Sequence, residues 1–162
     1  MRLSQGVEWG LHCCSVLALL PHDAALPANR LAEFHGVPGP YLAKTLQALA
    51  SAGLLESVPG RHGGYRLAKP PSRITLLDVV DAVEGGEPAF RCAEIRQRGP
   101  AGLPKSAYTV PCGIARAMAA AEAAYRQELR RRTLADVITQ MAKDANPRAV
   151  AKAAAWMQEV TR

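Results

Sequence analysis

The stretch YLAKTLQALASAGLLESVPGRHGGYRL, residues 41–67, decides the fold of this chain. Its first part carries leucines at steps of four and three, which share one face of a helix: Leu42, Leu46 and Leu49. Gly53 ends that helix, and two short β-compatible runs follow at residues 54–58 and 65–67. The glycines and the proline between the two runs favour a hairpin tip. A helix followed by such a hairpin is the arrangement of a winged helix-turn-helix.

Two helices are predicted ahead of this stretch. Ser4 can cap a first helix that ends near Leu20. Pro27 opens a second helix that ends near Gly36, because proline suits the start of a helix and glycine the position after its end. The connection from there to Tyr41 is short enough for a helix-turn-helix corner.

Beyond the hairpin, the sequence predicts a further helix and then a long loop. Thr75 and Asp78 form a cap-like pair at the start of a helix over residues 76–83. Residues 84–111 lack helical periodicity and are rich in glycine and proline, so we expect a long ordered loop there. A loop of this length in a compact chain usually has a function or is disordered.

The longest helix is predicted from Cys112 to about Arg132. Its small and apolar side chains recur at steps of four, three, four and four: Ile114, Met118, Ala121, Tyr125 and Leu129. A narrow stripe of this kind over about five turns lets two long helices pack side by side, so it predicts a homodimer. The alternative is that the stripe folds back on its own domain.

Composition favours a soluble protein with a polyanionic partner. The chain has 162 residues, 49% of them apolar, with a net charge of +6 and a pI near 9.5. No apolar run reaches the roughly 18 residues of a membrane span and no secretion signal is recognised, so we expect a cytoplasmic protein without a membrane partner. An enzyme with a small-molecule substrate is disfavoured, because the sequence shows neither a nucleophile–base set nor a phosphate-binding loop.

Four side chains are candidate metal ligands: Glu8, His12, Cys92 and Cys112. Glu8 and His12 lie four residues apart on the first predicted helix and share a face, whereas the cysteines bracket the long loop. Thiolates are soft ligands, imidazole is borderline and carboxylate is hard, so a site built from all four would be electronically asymmetric. The cysteine spacing matches no short zinc-binding pattern. On the residues alone, Glu8 as a solvated helix residue and His12 as a satisfied histidine stay open alternatives.

The chain resembles the bacterial winged-helix repressors of the IscR, NsrR and RsrR family over residues 1 to about 140. The most specific matching pieces are Tyr41-Leu42 with Leu49, Ala52-Gly53-Leu54-Leu55, and residues 60–68 and 74–80. The family's usual loop bears three cysteines, whereas this loop has two, with Arg98 and Pro104 in the stretch of the middle one. Three further pieces look like the RsrR branch, namely residues 6–9 with 11–14, residues 90–92 and residues 94–100.

This resemblance implies a [2Fe-2S] cluster held by two loop cysteines of one subunit and by a glutamate and a histidine of the other. Carried over by position, the ligands are Cys92, Cys112, Glu8 and His12. The resemblance further implies a redox-sensing repressor that binds a double-stranded DNA operator as a homodimer. Open alternatives are a repressor of the same fold that lacks the cluster or contains zinc, and senses through thiols or a small ligand.

Three residues next to the candidate ligands need separate interpretation. Adjacent helical residues point about 100° apart, so at most one of Cys13 and Cys14 can join the face of His12. Both are interpreted as buried apolar fillers, with a substitute ligand or a redox thiol as the alternative. Trp9 is interpreted as a packing residue, with shielding of the cluster as the alternative.

The predicted recognition helix and wing supply candidate DNA contacts. A recognition helix presents its amino-terminal residues to base edges in the major groove, here Tyr41, Lys44 and Thr45. The wing should reach phosphates or the adjacent minor groove through Arg61, His62 and Arg66. Residues 37–40 replace the small hydroxyl residues often found there in the family, so hydroxyl caps and phosphate contacts are lost.

We therefore expect a mainly α-helical protein with a small β-hairpin wing. Thr133 is expected to cap a short helix that ends at Met141, and a last helix to cover residues 148–160. The expected segments are a winged helix-turn-helix DNA-binding domain over residues 1–83, a cluster-binding sensor loop over 84–111, a dimerisation helix and the following short helix over 112–141, and a C-terminal helix over 142–162.

Overall fold

The computed structural model describes residues 2–21, 24–60 and 63–160. In this part of the chain the elements are α1 (Gln5–Leu17), α2 (Ala28–His35), α3 (Gly39–Ser51), β1 (Leu55–Val58), β2 (Gly64–Leu67), α4 (Leu76–Glu84), α5 (Gly113–Arg131), α6 (Leu134–Asp144) and α7 (Pro147–Val160). Short 3-10 turns lie at Pro71–Arg73, Ile95–Gln97 and Lys105–Ala107. The expected mainly helical fold with a β-hairpin wing is confirmed.

The chain divides into two compact units. The larger unit joins residues 2–86 to residues 129–160, and the smaller unit comprises residues 87–128. The larger unit therefore contains the helix-turn-helix and the hairpin, whereas the smaller unit contains the long loop and most of α5.

The core of the larger unit is built on the leucine face of α3. Leu42, Leu46 and Leu49 are fully buried, as their periodicity predicts. The side chains that surround them come from α1, α2, β1, α4 and α6 and include Cys13, Cys14, Leu31, Leu55, Val79 and Leu134. Full burial of one leucine contributes roughly 1.5–3 kcal/mol, so this cluster is the main stabilising feature of the unit.

The wing is fixed to the segment before α2. Strands β1 and β2 are antiparallel, and Leu26 adds a bridge to Tyr65 with backbone hydrogen bonds of 2.8 and 3.0 Å. Gly64 has a φ of +148°, and a Cβ atom there would lie 2.2 Å from the carbonyl carbon of Leu26. Only glycine permits this close backbone approach.

Two helices of the larger unit begin with the same capping arrangement. The Asp78 N–H donates to Thr75 Oγ1 over 3.1 Å, and the Thr75 N–H donates to Asp78 Oδ2 over 2.8 Å. Thr133 and Asp136 repeat this reciprocal pair at the start of α6. Both caps were expected from the threonines, and each satisfies backbone donors that a helix start leaves free.

Backbone hydrogen bonds join the start of α6 to the start of α4. The Leu76 N–H donates to the carbonyl of Arg132 over 2.9 Å, and the Leu134 N–H donates to the carbonyl of Ile74 over 2.8 Å. Ile74 and Leu134 are themselves fully buried. These bonds fix the position at which residues 132–134 pair with residues 74–76.

The first helix differs from its prediction at both ends. It stops at Leu17, one turn before the expected Leu20. Ser4 does occupy the position before the helix, but its side chain does not cap it. The Ser4 hydroxyl and the Ser4 N–H both donate to Glu84 Oε1, over 2.7 and 2.9 Å.

The longest helix, α5, buries none of its residues. Ile114 is 67% exposed and Met118 is 43% exposed, so the amino-terminal part of the apolar stripe has no cover within one chain. Within the residues described, no helix is both long and apolar enough to cross a bilayer.

Candidate DNA-reading surface and metal ligands

Helix α3 has one exposed edge. Pro38 precedes the helix without a side-chain cap, and Pro40 lies in its first turn. Tyr41 is 64% exposed, and the exposed side chains of Lys44 and Gln47 follow at steps of three. An aromatic ring, an ammonium group and an amide are thereby aligned, and each can contact bases or phosphates. Gln47 was missing from the predicted contacts, although its spacing from Lys44 indicates it.

Thr45 does not belong to this edge, and the expectation that it faces away from the core is wrong. Its side chain is 7% exposed and lies against α1. A Cβ atom at Gly6 would lie 3.2 Å from Thr45 Oγ1, and one at Gly10 would lie 3.4 Å from Thr45 Cγ2. The two glycines therefore leave room for the threonine between the helices, which makes it unavailable to a base edge.

Only one of the predicted wing contacts can be located. Arg61 and His62 lie outside the residues that the structure describes. Arg66 lies on β2 directly opposite Glu56, and its Nε donates to that carboxylate. Cross-strand pairing with an acid offsets the positive charge that a phosphate contact would use. Arg66 therefore pairs with Glu56 within the wing, and its contact with a phosphate stays a prediction.

Glu8 and His12 share an exposed face of α1, as their spacing predicts. Both line an open cavity of about 480 Å³, whose other walls include Leu11, Val137 and Met141. The carboxylate and imidazole are consequently free to meet a group that approaches from outside the larger unit.

His12 also contacts a second histidine. The ring centroids of His12 and His35 are 5.7 Å apart. Burial lowers the pKa of His35, and His12 lowers it further. Among the described residues, the buried Nε2 of His35 has no hydrogen-bond partner.

The two loop cysteines occupy different environments in the smaller unit. Cys92 is exposed, whereas Cys112 is half-buried at the amino end of α5. The pKa of the Cys112 thiol is lowered, chiefly because the backbone N–H groups of Ala115 and Ile114 donate to the sulfur, with a smaller contribution from Arg96. A thiolate is the form that binds metals and reacts as a nucleophile.

Within the described part of the chain these four donors do not form one complete site. Among the residues described, no group of three or more His, Cys, Asp or Glu side chains is placed to hold a metal ion. Glu8 and His12 form one pair on one turn of α1, and Cys92 and Cys112 belong to the smaller unit. A [2Fe-2S] cluster needs four protein ligands, and two thiolates, an imidazole and a carboxylate are donor types that can supply them.

Cys13, Cys14 and Trp9 take the structural roles that were favoured. Both cysteines are fully buried, and burial raises the pKa of each to about 12. A thiol this hard to deprotonate is a poor metal ligand. Trp9 is half-buried and packs against the core.

The fold and the exposed edge of α3 define a winged helix-turn-helix protein. Residues 3–140 match the Rrf2 family model, which describes iron-dependent transcriptional regulators. The chain belongs to the Rrf2 family.

Two related sequences and one solved structure support this family assignment. The helix-turn-helix-type regulator YwgB of Bacillus subtilis is 40% identical over 85 residues, which are 52% of this chain and 54% of YwgB. A regulator of the same type from Mycobacterium tuberculosis is 32% identical over 137 residues, which are 85% of this chain and 81% of the relative. The structure of T. potens IscR has the same fold, with a TM-score of 0.62 at 24% identity over 90% of this chain and 89% of that one.

These relatives are transcriptional regulators and not enzymes. The chain spans about half the length of several curated relatives that it matches, such as 54% of YwgB.

Proposed function

We propose that this chain is a homodimeric, redox-sensing transcriptional repressor of the RsrR type. In this proposal it acts in the cytoplasm, binds a double-stranded DNA operator and holds a [2Fe-2S] cluster with ligands from both subunits. The observation that carries the proposal is the placement of the candidate ligands on two parts of the chain: Glu8 and His12 lie on an open face of α1, and Cys92 and Cys112 belong to the smaller unit. Membership of a family of iron-dependent regulators supports iron as the metal.

The DNA contacts of the proposed repressor come from α3 and the wing tip. Tyr41, Lys44 and Gln47 form the exposed edge of α3 and would enter the major groove. Arg61 and His62 would reach a phosphate or the minor groove.

The dimer is supported by the uncovered stripe of α5. Ile114 and Met118 are large apolar side chains exposed in one chain, and Ala121 continues the same face with a side chain small enough for close helix packing. A second copy of the helix would cover this stripe.

The packing of α1 against α3 suggests how a change at Glu8 and His12 affects the DNA-reading helix. When bound, the cluster supplies reversible one-electron chemistry. Glu8 and His12 flank Gly10, which packs against Thr45 of α3. A change in how the cluster is bound by Glu8 and His12 would displace α1, and the contact between Gly10 and Thr45 would transmit this displacement to α3. The spacing between the two recognition helices of the dimer would then change.

The test is a comparison of ligand variants purified without oxygen. Glu8→Ala and His12→Ala should alter the visible absorption of the cluster and lower the iron and sulfide content, and the redox dependence of DNA binding should be lost. Gln5→Ala is the matched control, because Gln5 is exposed on the same helix and lines the same cavity. An unchanged spectrum and unchanged DNA binding in both ligand variants would remove Glu8 and His12 from the proposal.

A second candidate function is a repressor that senses through a thiol without a cluster. The position of Cys112 at a helix amino terminus, with its lowered thiol pKa, favours it. A colourless, iron-free anaerobic preparation whose DNA binding responds to oxidation through Cys112 would support this candidate. Zinc without sulfide in the same preparation would identify a zinc-containing regulator.

A further inference from the structure

The half-buried residues of the loop ahead of α5 share one neighbourhood. From residue 87 to residue 113, all residues are exposed except Gly102 and four with functional side chains: Glu94, Arg96, Tyr108 and Cys112. Arg96 lies at the centre of this set. We call Glu94, Arg96 and Tyr108 the arginine clasp.

Arg96 is held from three directions. Its Nη2 donates to Glu94 Oε2 over 2.9 Å, and its Nε donates to the other oxygen of the same carboxylate. The Cζ atom lies 4.6 Å from the centre of the Tyr108 ring, and the Tyr108 hydroxyl donates to the Arg96 carbonyl. A two-pronged carboxylate contact together with an aromatic face uses the planar shape of guanidinium in a way that lysine cannot reproduce.

The clasp also holds the backbone in a conformation that side chains disfavour. Glu94 has a φ of +47° and is the only non-glycine residue with positive φ among the residues described. Such a conformation persists only where surrounding contacts enforce it, and it is concentrated at functional sites. The Glu94 carboxylate that binds Arg96 supplies such a contact.

The clasp reaches the segment that carries Cys112. Arg96 Nη2 donates to the Val110 carbonyl over 3.3 Å, two residues before the cysteine. Tyr108 adds a contact four residues before it.

We propose that Arg96 is a positioning residue for Cys112, which fixes the approach of the thiolate and raises the reduction potential of the cluster by its positive charge. The inference rests on the proposed function, because it concerns the same site. One-electron reduction adds one negative charge to the ligated cluster without breaking a bond. The Arg96 guanidinium, which contacts the Val110 carbonyl two residues before Cys112, would stabilise that charge and shift the equilibrium toward the reduced form.

The experiment is a potentiometric titration of the anaerobic holoprotein with dithionite as reductant. Arg96→Gln should raise the oxidised-to-reduced ratio at a fixed potential about tenfold, which corresponds to a midpoint lower by about 59 mV for a one-electron couple. Arg98→Gln is the matched control, since it removes the same charge from the same loop but leaves the clasp in place. It should shift the midpoint by less than a third as much.

Arg96→Lys separates charge from position. Lysine keeps the charge, so the midpoint should stay near that of the unsubstituted protein. It loses the two-pronged contact, so iron should be released to a chelator at least about threefold faster. This variant also covers the case in which Arg96→Gln does not fold.

The outcomes distinguish the two levels of the proposal. If the unsubstituted protein binds a cluster but Arg96→Gln and Arg98→Gln have equal midpoint potentials, the role of Arg96 is overturned while the proposed function stands. Unchanged iron release in Arg96→Lys would overturn its positioning role. Unsubstituted protein that takes up no cluster would overturn both the proposed function and this inference.

Discussion

The larger and the smaller unit are stabilised in different ways. The larger unit has a leucine-rich core in which α3, α1 and α4 pack closely. No residue of the smaller unit, residues 87–128, is buried, and its loop is organised around the polar contacts of Arg96. Units of this size without a core usually need a metal, a disulfide or a partner chain. The larger unit therefore has a core of its own in one chain, whereas under the proposed function a second subunit and a bound cluster would complete the smaller unit.

The largest expected effect tests the core of the larger unit. Leu46→Ala should lower the free energy of unfolding by about 2–5 kcal/mol, because Leu46 is fully buried and the deletion leaves a cavity. Leu103→Ala makes the same change in the smaller unit, where the side chain is 55% exposed, and should cost less than about 0.5 kcal/mol. Urea unfolding of both variants measures the difference. Equal losses would show that the smaller unit has a core of its own in solution.

An intermediate effect is expected at the stripe of α5. Ala121→Arg should raise the dissociation constant of the dimer at least about tenfold, because it introduces a charge where two helices are expected to pack closely. Ala123→Arg is the matched control on the opposite side of the helix, where alanine is also exposed. Sedimentation velocity measures the association, and limited proteolysis should show faster cleavage within residues 87–112 in the monomeric variant. A dimer that tolerates Ala121→Arg would contradict the assignment of the stripe.

The smallest effect concerns DNA binding by the larger unit. Lys44→Ala should weaken binding to duplex DNA several-fold and reduce the slope of log affinity against log salt by about 1, as expected for the loss of one phosphate contact. Lys152→Ala removes the same charge from an exposed position on α7 and should leave the slope unchanged. Fluorescence anisotropy over a salt series measures both. An unaltered slope for Lys44→Ala would show that this lysine does not touch phosphate.

The sequence predicts those parts of the fold that depend on local patterns. The leucine spacing located α3, the Thr75–Asp78 pair located the start of α4, and Thr133 located the start of α6. Gly64 and its neighbours indicated the hairpin. Each of these signals lies within a few residues, where helical or strand periodicity and capping chemistry operate.

Contacts between segments that are distant in the sequence could not be predicted from such local patterns. Thr45 was expected to reach base edges because it lies near the amino end of α3 and away from the leucine face, but its burial depends on Gly6 and Gly10 of another helix. Ser4 was expected to cap its own helix, but its hydroxyl donates a hydrogen bond to Glu84 of α4. The contact of Arg96 with Val110 likewise joins residues on either side of the 3-10 turn at Lys105–Ala107. The proposed ligands Glu8, His12, Cys92 and Cys112 followed from family resemblance, and their joint role stays a prediction.

The backbone bonds between Ile74 and Leu134 and between Leu76 and Arg132 have a consequence for how such regulators diversify. They close the larger unit on itself, so the residues between α4 and α6 form an excursion from an already complete body. The entropic cost of lengthening such an excursion grows only with the logarithm of its length. The segment between α4 and α6 can thus change in length and sequence while the backbone bonds that close the larger unit are kept.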